Sequence, residues 1–582
     1  MKRRGKMEIW LKAVAEDEAR KEFQAVIKFS DIDGNDRLLS VPLSDLEDLK
    51  VLRKTLRNAG CYFSKSGDKA KAALTALAGS TANAKRWKFP ARVGWYDGHR
   101  QFVHPQRVLG KMRDHTLIKP PVAHARNHNL CLEMRGSHKK WLESVAVPVA
   151  HSSRMVLGIC MALAAPLLDF TGLNSFGILV HGPGKAGKST LLVVAGSVVG
   201  FASEQELPNF RTTDAALGEI PASFSDMLLP MNELGLLKGN AVERGQRVRD
   251  LAYGFAEGRG TTYSKFAPIN QSDAGRKWRS IFLASGEEAI ERISELAGQT
   301  RATGAAIRWI DLPATRNGAD DIFDFCPKEI AGQNRRAWVQ QRCVTSREGC
   351  RAHHGVALKH FIGQAIKRRK TIAADLDALT RQFVEKVTNE EDGQAVRHLA
   401  TCFGHIAGAG VLGVRFGTVP WSKRFVLKCI RRCYNDARRA LRTEKDLLHE
   451  GLRSLREGID SKLLKVSRNK LHGKSAWKAA EGYREKTNHG IRVTIRGEAF
   501  KGWFADQRQP GIVLSWLHSQ NALSSKRGPS GSSTPAITWA ESQPLWPDGS
   551  RPRSIVLELG PGVLNDGKDN AMERPRRHRR PQ

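Results

Sequence analysis

Acidic residues are in short supply in this sequence. The chain carries 59 Asp and Glu against 94 Lys and Arg, a net charge of +35. So large a deficit points to a polyanionic partner, nucleic acid first. Cysteine is sparse as well, nine in 582 residues and odd in number. That density excludes a disulfide scaffold and fits a reducing cytoplasm. Long apolar runs are missing. The longest, Met155 to Leu168, stops at Asp169, whereas a bilayer span needs about 20 residues. The basic start Met1-Lys-Arg-Arg leads into no apolar segment, so no signal peptide and no membrane partner are expected. No internal repeat of fixed period is present. What remains is globular composition, 41 % hydrophobic and 26 % charged, which excludes a disordered or collagen-like chain.

Periodicity divides the chain into five stretches. Residues 1–120 read as an α+β accessory region. Ala25 to Ser30 and Leu38 to Leu43 are strand-like and flank Asp33-Gly34, a hairpin signal. Further strand-like text runs at Ala91 to Tyr96 and Gln101 to His104. Residues 121–325 alternate apolar strands with helices: a buried helix over Met155 to Leu168, a strand at Phe176 to His181, and a helix over 189–199. Strand-length runs follow at Met227 to Met231, Ser280 to Ala284 and Ala306 to Leu312. That alternation predicts an α/β domain with a parallel sheet covered on both faces. Residues 326–480 read as basic and helical. Leu448, Leu452, Leu455 and Ile459 there share one helix face. Residues 481–560 alternate again, and 561–582 form a basic tail expected to be disordered.

Gly182-Pro183-Gly184-Lys185-Ala186-Gly187-Lys188-Ser189 fits the phosphate-loop pattern G-x-x-x-x-G-K-[ST] at every fixed position, and Thr190 opens the helix after it. The glycines let the backbone bend around phosphates with its N–H groups turned inward. Lys188 would reach the β- and γ-phosphates of ATP, and the Ser189 hydroxyl would bind Mg²⁺. The motif has the strand before it and the helix after it that such a loop requires.

An ATP-hydrolysing site also needs an acidic pair at the end of a neighbouring strand. Met227-Leu-Leu-Pro-Met-Asn232-Glu233 supplies the candidate, with Glu233 as general base. Asn232 stands where a metal-side Asp is usual. An amide still serves the shell of the metal but lacks its negative charge, so weaker Mg²⁺ binding is expected. Pro230 is awkward there because it removes a ladder donor. Ser285, ending the next apolar run, would sense the γ-phosphate or orient the water. Arg301 lies just before the last one and Arg308 at its start. Arg308 is the preferred finger for a neighbouring subunit's site, which makes a ring-shaped homo-oligomer the expected assembly.

Taken in order, these landmarks resemble the family called domain of unknown function 927. They are Val93-Gly-Trp95, Ala162-Leu-Ala-Ala-Pro-Leu-Leu168, Gly182 to Thr190, Leu229-Pro-Met-Asn-Glu-Leu-Gly235, Ser285-Gly-Glu287, and Arg308-Trp-Ile-Asp-Leu-Pro313, with His354-Gly355 beyond. The resemblance spans roughly residues 60–480. It implies an AAA+-like P-loop ATPase related to superfamily III and replicative helicases, borne on phages, plasmids or cassettes and placed near primase functions. Asn232 departs from the family's Asp.

Over residues 351–582, 43 Lys and Arg face 22 Asp and Glu. Lys367 to Lys370 and the series Arg431, Arg438, Arg442 are candidate phosphate contacts on helices. Residues 492–556 admit a winged-helix module, with helices near Glu498 to Gln507 and Val513 to Gln520, a Gly/Ser wing over 526–535 and a strand at Ser554 to Leu559. The spacing Cys343-x₆-Cys350-x₂-His353-His354 does not match a standard zinc site. Two functions stay open. One is an ATP-driven helicase or translocase acting on DNA, single-stranded by preference, in replication of a mobile element beside a primase. The other is a nucleotide-gated DNA-binding initiator or loader with weak or no hydrolysis.

Overall fold

The computed structural model of the chain describes residues 9–17, 22–63, 67–90, 92–110, 116–117, 132–258, 277–299, 301–316, 318–327, 330, 333–442, 444–466, 472–488, 490–504, 506, 508–523 and 544–560. Its contacts form two compact units, Met1–Leu441 and Arg442–Gln582. The expected boundary at 480/481 therefore gives way to one at 441/442.

The first unit opens with β1 (Ile9–Asp17), β2 (Glu22–Ser30) and β3 (Asp36–Pro42). β2 and β3 are the expected hairpin, antiparallel with Ser30 opposite Asp36. Asp31 holds the turn: its Oδ1 accepts the N–H groups of Asp33 (3.0 Å) and Asn35 (2.8 Å), and Gly34 takes the left-handed φ of +80°. β4 (Arg86–Phe89) runs parallel beside β1. β5 (Gly94–Tyr96), β6 (Gln101–His104) and β7 (Arg107–Gly110) form a separate antiparallel sheet, and β8 (Thr116–Leu117) returns to the first, whose order is β3-β2-β1-β4-β8. Helices Leu49–Asn58 and Gly67–Gly79 bury Leu52, Leu56, Leu74 and Leu77 against Ile27 and Phe29 of β2.

Next comes the sheet that positions the site. β9 (Phe176–His181), β10 (Leu228–Met231), β11 (Ile281–Gly286) and β12 (Trp309–Pro313) are all parallel, in the order β10-β11-β9-β12. Their near-continuous apolar text is what a sheet covered on both faces requires. Pro230 is accommodated because β10 lies at the edge, where a missing donor costs least. The strand expected over Ala306 to Leu312 begins only at Trp309. Thr303–Arg308 is a helix, so the first half of that apolar run faces the core at helical rather than strand spacing.

The buried helix is Ser153–Ala164, capped by the Ser152 hydroxyl and carried on by short turns to Thr171. Ser153–Thr171 is long and apolar enough to cross a bilayer, and every residue from Ser153 to Leu168 is buried inside the protein. Small residues allow this. A Cβ on Gly158 would meet Leu191 Cδ1 at 2.8 Å, and one on Gly410 would meet Cys160 Sγ at 2.6 Å. The helices Lys188–Val199 and Gln394–Arg415 thus approach it closely from two sides. Arg154, fully buried in this apolar helix, is neutralised by Asp436 at 2.6 Å, which also takes Arg316 at 2.7 Å. Burial alone would raise the Asp436 carboxyl, but Arg316 and Arg154 outweigh it and hold it below the usual range.

Helices Gln333–Ala352, Val356–Lys367, Ile372–Val387, Gln394–Arg415 and Lys423–Ala440 complete the unit and share one continuous core with the parallel sheet. Cys429 and Cys433 are buried packing residues of the last helix. That helix ends at Ala440, so Arg442 cannot extend the face of Arg431 and Arg438; it pairs instead with Asp506 at 3.1 Å. The proposed stripe of three is corrected to Arg431 and Arg438.

The second unit starts with helix Glu444–Ser461, which buries Leu452, Leu455 and Ile459 as the heptad-like spacing requires. β13 (Leu464–Val466), β14 (Gly482–Thr487), β15 (Gly490–Arg496) and β16 (Ser554–Leu559) make a sheet in that order. Between β15 and β16 lie helices Gly497–Gly502 and Gln509–Ser519. The first is shorter than expected, because the chain turns at Trp503-Phe504 before Pro510 opens the second. The Gly/Ser stretch over 526–535 and the basic tail over 561–582 lie outside the described residues.

His405 gives a pH test of this core. It is buried on Gln394–Arg415, with Nε2 3.0 Å from the Ala164 carbonyl, and burial pushes its pKa down to about 4. The unfolded state, titrating near its ordinary 6.5, then binds the proton first, so stability falls as pH drops from 6.5 towards 4. Between pH 7 and pH 5 this amounts to about 2 kcal/mol. Urea unfolding at the two pH values should show that loss in the wild type and a markedly smaller one in His405→Gln.

Candidate functional site

The parallel register brings the carboxyl ends of the strands level: His181 faces Gly286 and Pro313, and Met231 faces Ala284. The loop after β9 is built as its glycines predict. Gly182 and Gly187 have φ of +144° and +104°, and a Cβ on Gly187 would meet Ile322 Cγ2 at 2.8 Å. Neighbouring backbone pins the loop. Gly182 N–H donates to the Gly286 carbonyl (3.3 Å), Ala314 N–H to that of His181 (2.7 Å), and Ile322 N–H to that of Ala186 (2.9 Å). Pro183, Gly184 and Lys185 form the exposed crest, and Lys188 begins the helix Lys188–Val199.

Lys188 folds back over this loop. Its Nζ donates to the carbonyls of Gly182 (2.7 Å) and Pro183 (2.8 Å), and the side chain is nearly buried. Burial pushes its pKa below the usual lysine range, opposed by the carboxylates of Glu233 and Glu287. Beside it His181 is driven below the ordinary histidine range, again by burial, with Asp311 opposing.

Asn232 and Glu233 follow β10 directly. The Ser285 hydroxyl, at the end of β11, donates to Asn232 Oδ1 (3.0 Å) and accepts the Glu233 N–H (3.0 Å). Glu233 sits in the left-handed region at φ +56°, and its Oε1 accepts the N–H of Gly235 (3.2 Å). A non-glycine residue held there is strained, and such strain gathers at functional positions. The predicted Lys188, Asn232, Glu233 and Ser285 are therefore collected at one end of three adjacent strands. Ser189 stands beside Lys188 in the helix's first turn.

Arg308 is not brought to this cluster. It precedes β12, whose Trp309 faces Gly177 near the start of β9, so it lies at the opposite end of the sheet. Its guanidinium donates to the Gly304 carbonyl (2.8 Å) and covers the Tyr253 ring (5.0 Å). Arg301 is buried and bound to Asp311 (2.6 Å) and to the Trp309 carbonyl. Asp311 in turn accepts the N–H groups of Ile290 and Glu291, so that arginine is structural. His354 binds the Cys350 carbonyl through Nδ1 (3.0 Å), and burial pushes the Cys350 thiol up to about 12, far from thiolate character.

Two members of the cluster carry no signal in the sequence. Glu204, in the turn Glu204–Glu206, lies 3.4 Å from the Asn232 amide nitrogen. Arg347, from helix Gln333–Ala352, donates to the Thr190 hydroxyl (3.0 Å) and pairs with Glu204 (3.3 Å). Neither belongs to a motif, and they stand 28 residues before and 115 after Asn232 in the chain. Removing the Ser285 hydroxyl should leave the Asn232 carbonyl and the Glu233 N–H unpaired. Ser285→Ala is expected to cost about 1–2 kcal/mol in chemical unfolding, with Ser285→Thr retaining most of it.

The resemblance read from the motifs is matched as far as residue 266. Residues 4–266 match the family described as domain of unknown function (DUF927). No curated protein matches the chain. Among solved structures, one titled SCCmec type IV Cch, active helicase, shares the fold at a TM-score of 0.62 and 15 % identity, over 95 % of this chain and 93 % of that one. Another, the apo A form of the NrS-1 C-terminal region, is 12 % identical over 74 % of this chain and 91 % of that one, at a TM-score of 0.23, too low to compare folds.

Proposed function

We propose that this chain binds and hydrolyses Mg·ATP and couples it to work on DNA, as a helicase-like motor in replication of a mobile element in the bacterial cytoplasm. The observation that carries the reading is the convergence of Lys188, Asn232, Glu233 and Ser285 at the carboxyl ends of β9, β10 and β11, where ligands of parallel sheets bind. The donors fit the ion. Ser189, Asn232 and Glu233 offer a hydroxyl, an amide and a carboxylate, the hard oxygen ligands that Mg²⁺ and its water shell take. Bound with ATP, the ion would neutralise charge on the phosphates.

The chain's own groups have distinct parts in this reading. Loop residues Gly182 to Thr190 cradle the phosphates with backbone N–H groups. Lys188 exchanges the Gly182 and Pro183 carbonyls for phosphate oxygens. Glu233 takes the proton from the attacking water, and Ser285 fixes both Asn232 and the Glu233 backbone. Arg308, remote from its own loop, is offered to a neighbour's site, which implies a ring. The +35 charge supports DNA as the partner. So do the exposed Lys367 to Lys370 turn and, in the second unit, the helices of a winged-helix-like module. A primase is the expected functional partner.

Asn232 favours a second reading, a nucleotide-gated initiator or loader that turns over slowly. Steady-state ATP hydrolysis, with and without single-stranded DNA, separates them. The motor reading expects turnover that rises with DNA and drops at least about 100-fold in Lys188→Ala or Glu233→Gln. ATP-dependent DNA binding without turnover would select the loader. No ATP binding by the wild type would refute both.

A further inference from the structure

The carboxylate of Glu204 faces two groups at once. Oε1 accepts from Asn232 Nδ2 at 3.4 Å, and Oε2 lies 3.3 Å from Arg347, whose Nε donates to the Thr190 hydroxyl at 3.0 Å. Thr190 directly follows Ser189, the hydroxyl assigned to the metal. Glu204 is therefore tied to Asn232 directly and, through one arginine, to the loop helix next to Ser189. It is partly exposed, with about a third of its side chain open to solvent, so its charge is not costly to keep.

The amide at 232 has no freedom of its own. Its oxygen accepts the Ser285 hydroxyl with one lone pair, which turns the nitrogen towards Glu204. An aspartate at 232 would place a second carboxylate oxygen at the same short distance from Glu204, and two carboxylates so close oppose each other's ionisation. Amide at 232 and carboxylate at 204 are complementary, and the one carboxylate of the pair stands at 204.

We propose that Glu204 supplies the negative charge missing from position 232 and acts as the outer carboxylate of the Mg²⁺ that accompanies ATP. The proposal rests on the ATP-binding reading above. Arg347 is the positioning residue that keeps this carboxylate against the loop helix.

The test uses the full chain, a fluorescent non-hydrolysable ATP analogue, and Mg²⁺ titrated from EDTA, so that it reads binding rather than activity. Glu204→Gln should raise the Mg²⁺ midpoint roughly tenfold or more while leaving analogue affinity in EDTA unchanged. Asn232→Asp alone should not lower the midpoint, because the new carboxylate faces Glu204. Glu204→Gln with Asn232→Asp should return it to within about threefold of wild type. An unmoved midpoint in Glu204→Gln, or a double variant no better than that single one, overturns the proposal. If Glu204→Gln does not fold, Asn232→Asp decides: a midpoint lowered tenfold overturns it, an unchanged or raised one supports it. Analogue binding that depends on Lys188, with a Mg²⁺ midpoint that does not depend on Glu204, defeats this proposal alone. Absence of analogue binding by wild type, indistinguishable from Lys188→Ala, defeats the ATP reading and this proposal together.

Discussion

One hydroxyl, that of Ser285, joins the ends of two strands into a single site. It donates to Asn232 and accepts from the Glu233 backbone, so the residue pair after β10 cannot move independently of β11. Glu233 then holds a left-handed φ, which a non-glycine residue keeps only when its surroundings enforce it. β11 separates β10 from the loop strand β9, and the Gly286 carbonyl that follows Ser285 receives the Gly182 N–H. The same strand end thus anchors both the Asn232–Glu233 pair and the first glycine of the loop.

That arrangement needs a rigid sheet beneath it, which the buried helix Ser153–Ala164 provides. Gly158 on this helix and Gly410 and Gly413 on Gln394–Arg415 let two other helices approach it to van der Waals contact, a packing that depends on small residues at fixed places. The one charge in its first turn, Arg154, is satisfied by Asp436 and the Pro313 carbonyl at the end of β12. The helical segments from Gln333 to Ala440 are consequently part of the same core as the sheet, not an appendage, and Arg347 reaches the loop helix from among them.

Much of this was legible in the sequence where local chemistry decides. The hairpin at Asp33-Gly34, the strand Phe176–His181 and the loop glycines each follow from residues adjacent in the chain. The legibility failed where distant segments decide. Ala306 to Leu312 is mostly apolar at a length that suits helix or strand alike, so its text cannot say that the helix runs to Arg308 and the strand starts at Trp309. The stripe of arginines failed because helix Lys423–Ala440 ends two residues before Arg442. Glu204 and Arg347 were silent because their meaning comes from meeting Asn232 and Thr190 in space.

In the function proposed, the carbonyls of Gly182 and Pro183 hold Lys188 where phosphate would. A crystal structure of the full chain with a Mg·ATP analogue tests it most directly. The account predicts the phosphates within the Gly182 to Thr190 loop and Lys188 Nζ moved from the Gly182 and Pro183 carbonyls onto them. A nucleotide bound elsewhere, with those two hydrogen bonds of 2.7 and 2.8 Å intact, would contradict it.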